Sequence, residues 1–436
     1  MVYDGADAND LFRRHRATLP VWMPLFYERP LEIVAGAGCT VTDGEGREYL
    51  DFYSGISTNV LGYGIREIRD AVERQLRSGI VHTSTFYLIR AQVEAAERIG
   101  RLSGIEDPVV FFTCSGTEAV ETALLLATQY RDSNQVISLR YAYHGRSFGA
   151  LGATGDRRWQ GRGLSPLRVA HVPGGGRRRG ALRDLDDTAY VRACAEELEE
   201  TLTTSTPERT AAMIVEPVQG VAGAVPLVAG QLSAYKEILD GHGIPLIVDE
   251  VQTGWGRTGR FWGYQWHDVT PDLLVFAKGG GNGISMGGVV GRRDIMSCLP
   301  VPSLSSFGGN PLSMAAVRAT IDYIEAHSLP AHAEKTGALL LQELRRRLVG
   351  EPWVREVRGS GLLLAVEYAH PGGSARSAPQ MAKAVQEACR GRGLLVGLGG
   401  TAHDCVRIMP PLTLSAAQAR EGAHLVAAAT KDVRES

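Results

Sequence analysis

Short runs of β-branched and aromatic residues recur along the middle of the chain, separated by stretches with helical spacing. This alternation limits the fold more than any other feature. Residues 109–113 (VVFFT), 136–140 (VISLR), 211–215 (AAMIV), 245–250 (PLIVDE), 273–277 (LLVFA) and 288–291 read as buried strands. Residues 118–130 (EAVETALLLATQY) and 229–240 read as the helices between them. Such a pattern predicts an α/β domain with a doubly wound, mostly parallel sheet and helices on both faces. From Asn310 onward come a long helical stretch, glycine-bounded strand segments and a final amphipathic helix near 416–430. The expected division is a large domain at 61–310 and a smaller α+β domain built from 1–60 and 311–436.

Several classes of function are excluded early. The chain carries 46 basic against 48 acidic residues, a net charge of −2, so it offers no basic footprint for nucleic acid. No apolar run reaches the roughly 18 residues that cross a bilayer. The opening stretch MVYDGADANDLFRRHR has charges but no apolar segment behind them, so no signal peptide is expected. Cysteines at 39, 114, 194, 298, 389 and 405 form no C-x-x-C pair. This argues against a zinc site or a disulfide framework and predicts a metal-free cytoplasmic protein. The segment GGGRRRG at 174–180 reads as a solvated, mobile loop.

Two signatures match formally and mislead. Gly254, Gly256 and Gly259 spell G-x-G-x-x-G after a strand, but Arg260-Phe261-Trp262-Gly263-Tyr264 follows and opens no helix. Gly283-Ile284-Ser285-Met286-Gly287 matches the G-x-S-x-G elbow of a hydrolase, yet it leads into a strand rather than a helix. Glycines at tight turns account for both.

The ends of the strands carry the chemistry. Asp249 closes one apolar run, at the edge where open α/β sheets bind ligands. Lys278 closes the next and precedes Gly279-Gly280-Gly281. The remaining lysines stand at 236, 335, 383 and 431, all in helix-like polar stretches, so a buried primary amine has few other places to occur. Burial disfavours the ammonium form, and an amine so depressed, with glycines leaving space beside it, suits a Schiff-base nucleophile. Ser115 and Glu118 predict a capping box, with Gly116 and Thr117 opening a helix whose N-terminus can receive a phosphate. Tyr143-His144-Gly145 brings a ring to the same edge. Amine, carboxylate, phosphate cradle and aromatic face together point to pyridoxal phosphate.

These residues lie in stretches that resemble the class III aminotransferases, a fold-type-I pyridoxal-phosphate family. The matching segments run from VTDGEGREYLDF (41–52) through SGTEAVETA, YHGR, EPVQG (216–220), DEVQTGWGRTG, PDLLVFAKGGGNG and SFGGNPL to VRIMPPLT (406–413). The tract FWGYQWHDVTPDLLVFAKGGGNG looks nearest the alanine–glyoxylate aminotransferase 2-like and 4-aminobutyrate branches. The resemblance implies that Lys278 bonds the cofactor and shuttles the proton, and that Asp249 holds the pyridinium nitrogen. It implies Gln252 at the ring's 3′-oxygen, Tyr143 and Val251 on the ring's two faces, and Glu216 close by. Ser115, Gly116 and Thr117 would bind the phosphate, with Ser306 arriving from the partner subunit of a homodimer. Arg407 matches the arginine that binds a substrate carboxylate, and Arg146 the one that grips a distal carboxylate in 4-aminobutyrate enzymes; a salt bridge between strands is the plainer use of Arg146.

Ile56, a third substrate-side candidate, stands where ornithine enzymes carry tyrosine, which again favours the 4-aminobutyrate type. Val221 replaces a glutamate with which several relatives neutralise the carboxylate-binding arginine, which leaves Arg407 available. Gly62-Tyr63-Gly64-Ile65 departs from the family's Gly-His and following proline, so the donor could be an unusual amine. The expectation is ping-pong transfer from a small-molecule amine or amino acid to a 2-oxo acid: 2-oxoglutarate, pyruvate or glyoxylate. The competing readings are a lyase or decarboxylase, an aminomutase or racemase on the same cofactor, and a hydrolase centred on Ser285.

Overall fold

A computed structural model describes residues 10–160, 165–176, 182–370 and 376–435. Residues 1–9 of the opening stretch and 177–180 of the GGGRRRG segment lie outside the described residues. The central sheet has seven strands: β1 (Pro108–Thr113), β2 (Gln135–Leu139), β3 (Arg168–Val172), β4 (Ala212–Val215), β5 (Leu246–Asp249), β6 (Leu273–Ala277) and β7 (Gly287–Arg292). Their spatial order is β1-β7-β6-β5-β4-β2-β3. Neighbouring strands from β6 through β3 run parallel.

Two features depart from the pattern of the sequence. β7 runs antiparallel to both β6 and β1. It follows β6 through residues 278–286 alone, too short a connection for the crossover a parallel pair requires. β3 (RVAHV) has no continuous apolar run, because it is the edge strand and only Val172 is fully buried. It therefore lacks the signal that marks a central strand.

The helix between β1 and β2, α1 (Gly116–Arg131), shows why these residues fold as they do. Ala, Leu, Glu and Thr form its body, Ser115 caps its start, and Asp132 in left-handed conformation ends it. Its buried face, including Val120, Ala123, Leu124 and Ala127, packs in one cluster with Val136, Ile214, Ile247, Val275 and Val289 of the sheet. A side chain such as Leu124 contributes about 2 kcal/mol by leaving water, and truncation to alanine there would cost about 2–5 kcal/mol.

The two ends of the chain interlock. Ile33–Ala37, Thr40–Asp43 and Glu48–Asp51 form an antiparallel sheet that Leu394–Leu395 joins in parallel. A second antiparallel sheet contains Val354–Ser360, Leu363–Tyr368, Cys405–Ile408 and Gly397–Gly399. Phe52 ties them: its N–H donates to the Leu395 carbonyl at 2.8 Å, and its carbonyl accepts from Met409 at 2.7 Å. No helix among the described residues is long and apolar enough to cross a membrane.

Candidate active site

β5 and β6 lie side by side, so their C-terminal ends deliver Asp249 and Lys278 to one edge of the sheet. Lys278 has φ +50°, a left-handed conformation that costs a non-glycine residue about 1 kcal/mol and turns the chain sharply out of β6. Burial pushes its amine down to about 8; the Asp249 carboxylate pulls the other way, and the Arg407 guanidinium adds to the depression. The glycines after it do not leave room for a ligand. A Cβ on Gly280 would stand 2.5 Å from Trp255, and one on Gly279 would stand 3.0 Å from Val60. They admit the indole and the valine that support the lysine from behind. Asn282, in the same turn, accepts the Leu61 N–H at 2.8 Å and donates to the Gly62 carbonyl at 3.1 Å. The lysine turn and the 61–62 loop are thus one tied unit.

Asp249 is buried, yet both carboxylate oxygens are engaged. Oδ1 accepts the Val251 N–H at 3.0 Å, and Oδ2 meets Nδ1 of the buried His144 at 2.7 Å. Nε2 of His144 lies 3.4 Å from Ser138 Oγ, and the backbone N–H of His144 donates to Thr154 Oγ1 at 3.1 Å. Held from two sides, the carboxylate has a fixed direction. Tyr143-His144-Gly145 is expected from the sequence to bring a tyrosine ring to this edge; it also brings His144, whose position next to that aromatic is its one signal in the sequence.

The N-terminus of α1 closes another side. Ser115 Oγ accepts the Glu118 N–H at 3.3 Å, whereas Glu118 reaches back to the N–H of Cys114 at 3.0 Å rather than to that of Ser115. The expected capping box is therefore displaced by one residue at its return bond. Thr117 Oγ1 accepts the N–H groups of Arg146 and Ser147, each at 3.0 Å. This folds the 143–147 turn onto the helix start. Gly145 makes the turn possible: its φ is +132°, and a Cβ would lie 2.6 Å from Thr117 Oγ1. Gly116 lies under Val251, with 3.0 Å from its ideal Cβ position to the valine methyl.

Glu216 is buried with Oε1 on the Tyr143 N–H at 2.9 Å and Oε2 on the Gly220 N–H at 3.0 Å. Burial pushes it up to about 7, opposed by His144 and reinforced by the nearby Asp249 charge. Burial likewise raises Tyr143, whose ring meets Trp159 edge-on at 5.3 Å. These groups line a cleft that opens to solvent, with the amine, the carboxylate and the start of α1 converging on it.

Arg407 lies beside it, 3% exposed. Its Nη2 donates to Gln252 Oε1 at 2.5 Å and to Met409 Sδ at 3.3 Å. Nε is buried without a partner, Nη1 makes no hydrogen bond, and no acid pairs with it among the described residues. A buried guanidinium with neutral neighbours and free donors suits an incoming carboxylate. Arg146 lines the cleft and is exposed, and no described acid pairs with it, so the inter-strand salt bridge is not formed. Ile56 is 42% exposed and sits at φ +66°. Ser306 is exposed on the 301–307 strap, outside the residues that line the cleft.

The decoys resolve simply. Ser285 donates its hydroxyl to the Cys114 carbonyl at 2.6 Å, so no base holds its proton. Gly256 and Gly259 occupy turns at φ +91° and +99°. Glu367, Asp404 and Cys405 cluster in the interior, where Arg358 and Arg355 bond Glu367 at 2.8 and 3.1 Å.

Comparison with known proteins is consistent along the chain. Residues 27–429 match the family model described as aminotransferase class-III. The chain is 36% identical over 367 residues to acetylornithine aminotransferase of Methanopyrus kandleri, covering 83% of this chain and 85% of that protein. It is 32% identical over 434 residues to human mitochondrial alanine–glyoxylate aminotransferase 2, covering 95% and 84%. Among solved structures, a pyridoxal-phosphate-bound amine transaminase from an uncultivated Pseudomonas species superimposes with a TM-score of 0.86. Its identity is 29%, and the match covers 93% of this chain and 95% of that one.

Proposed function

The chain belongs to the class-III aminotransferases, and we propose that it passes an amino group from an amine or amino acid to a 2-oxo acid held by Arg407. The observation that carries the acceptor half of this reading is the buried Arg407 guanidinium, which has free donors and no acid beside it among the described residues.

The cofactor of these enzymes is pyridoxal phosphate, and the residues present fit it: a depressed amine, an oriented carboxylate and a helix N-terminus around one cleft. When bound, it supplies a carbonyl that amines condense with and a ring that draws electrons from the adjoining C–H bond. Lys278, neutral above about pH 8, would hold the cofactor through its amine and could move a proton at the substrate carbon. Asp249, aimed by His144 and the Val251 N–H, holds a proton on the ring nitrogen. Tyr143 and Val251 flank the ring, and Glu216 fixes the Tyr143 backbone. Ser115, Gly116 and Thr117 receive the phosphate at the start of α1. Gln252, bonded to Arg407, would lie at the ring's oxygen. Arg146 and Ile56 face the far end of the substrate.

Ile80, Val81, Phe86, Tyr87, Leu88, Val301, Leu304 and Phe307 are all exposed, a cluster too apolar for an isolated surface. We assign this face to a second copy, which would bring its Ser306 toward the phosphate. The large domain at 61–310 would then carry the cofactor, and the smaller one from 1–60 and 311–436 would carry Arg407. The six free cysteines favour a reducing compartment, for which we propose the cytoplasm. Incubation of the holoenzyme with a panel of amines and amino acids against 2-oxoglutarate, pyruvate and glyoxylate should yield a new amino acid. Ammonia release without an oxo acid would identify a lyase, and inversion of a single substrate a racemase; either result rejects the proposal.

A further inference from the structure

Between the first sheet and the cleft the chain makes a turn that few sequences adopt. Ser54, Gly55, Ile56 and Ser57 all have positive φ, at 45°, 62°, 66° and 63°. Left-handed residues occur singly because each non-glycine costs about 1–2 kcal/mol, and a β-branched isoleucine is a marked outlier. Such strain persists only where the surroundings over-determine it. Here Asp51 Oδ1 accepts the N–H groups of Tyr53 and Ser54 at 2.8 and 3.0 Å, and Thr58 Oγ1 donates to the Gly55 carbonyl at 2.8 Å. Gly55 itself is needed, because a Cβ would stand 2.5 Å from Thr58 Oγ1.

What the turn grips is Met409. The Ser54 hydroxyl donates to the Met409 carbonyl, and the Ser57 hydroxyl donates to its sulfur at 3.4 Å. The same sulfur accepts from Nη2 of Arg407 at 3.3 Å. Ser54, Ser57 and Met409 are all buried, so solvent cannot replace these bonds. A thioether is a weak, neutral acceptor. It can direct a guanidinium without neutralising it, whereas a carboxylate in its place would compete with the substrate.

We propose that Met409 is a positioning residue for carboxylate recognition: clamped by the left-handed turn, its sulfur and Gln252 occupy Nη2 of Arg407 and leave Nη1 for the substrate. This rests on the reading of Arg407 given above. Loss of the sulfur acceptor in Met409→Leu, which conserves volume, should raise the KM for a 2-oxo acid about three- to tenfold, the equivalent of one neutral hydrogen bond. Turnover number, the absorbance of the bound cofactor and the KM for a carboxylate-free amine should stay unchanged. Met409→Gln, which restores a neutral acceptor, should bring the KM back. Ser57→Ala should shift it the same way by less, and it decides the matter if Met409→Leu does not fold. An unchanged KM, an equal rise for the carboxylate-free amine, or failure of glutamine to rescue overturns the role of Met409. If Arg407→Ala also leaves oxo-acid KM unchanged, the assignment of Arg407 has failed instead.

Discussion

Two cations, Lys278 lining the cleft and Arg407 beside it, are housed in opposite ways. Lys278 stands near the buried acids Asp249 and Glu216. Arg407 has an amide, a thioether and the ring of Tyr53, 5.9 Å from its Cζ, and no described acid. A third buried cation sharpens the contrast: Arg257 donates to the carbonyls of Leu362 and Pro410, which makes it a tie between chain segments. Negative charge is built in beside the lysine. It is withheld beside the arginine, as the proposed binding of a substrate carboxylate there would require.

The largest blow to this arrangement is Lys278→Ala. It should reduce turnover by at least about a thousandfold while the fold survives, read from steady-state rates and the circular dichroism of the variant. Asp249→Asn comes next, with a fall in turnover of about a hundredfold or more; an unchanged rate would separate the carboxylate from the cofactor. Arg407→Ala removes a charged hydrogen-bonding partner worth about 1.5–3 kcal/mol. It should raise the KM for an oxo acid roughly ten- to a hundredfold, and that for a carboxylate-free amine much less.

The smallest effect tests the acidic end through pH. Glu216 is raised in the folded protein to about 7 from an ordinary 4.5. The stability it gives when protonated is complete below about pH 4.5 and is lost as pH rises through 7. Apoprotein carrying Glu216→Gln should therefore lose less Tm between pH 5 and 8 than the wild type. Identical losses would remove the buried acid from that end.

The sequence exposed the acidic end far better than the carboxylate end, for a physical reason. Strand-terminal residues such as Asp249 and Lys278 are marked by the apolar runs that precede them, so periodicity finds them. β3 escaped because an edge strand needs no such run, and β7 concealed its direction because apolarity carries no sense of orientation. His144 was visible but not its bond to Asp249, which depends on β2 and β5 being brought together by the sheet. Arg407 came from resemblance, not pattern. Met409 lies beside it, but Ser54 and Ser57, which hold Met409, stand some 350 positions earlier in the chain and carry no local signature. Side chains that act across such separations become legible only when the fold is known.

The bond pair of Asn282 has a practical consequence for anyone wishing to widen the range of amines accepted. Loop exchanges around Tyr63 would drag the backbone of the Lys278 turn with them, so libraries made there should yield many inactive clones for each altered preference. Diversity placed at Trp159 and Arg146 touches neither anchor and should broaden selectivity at a lower failure rate.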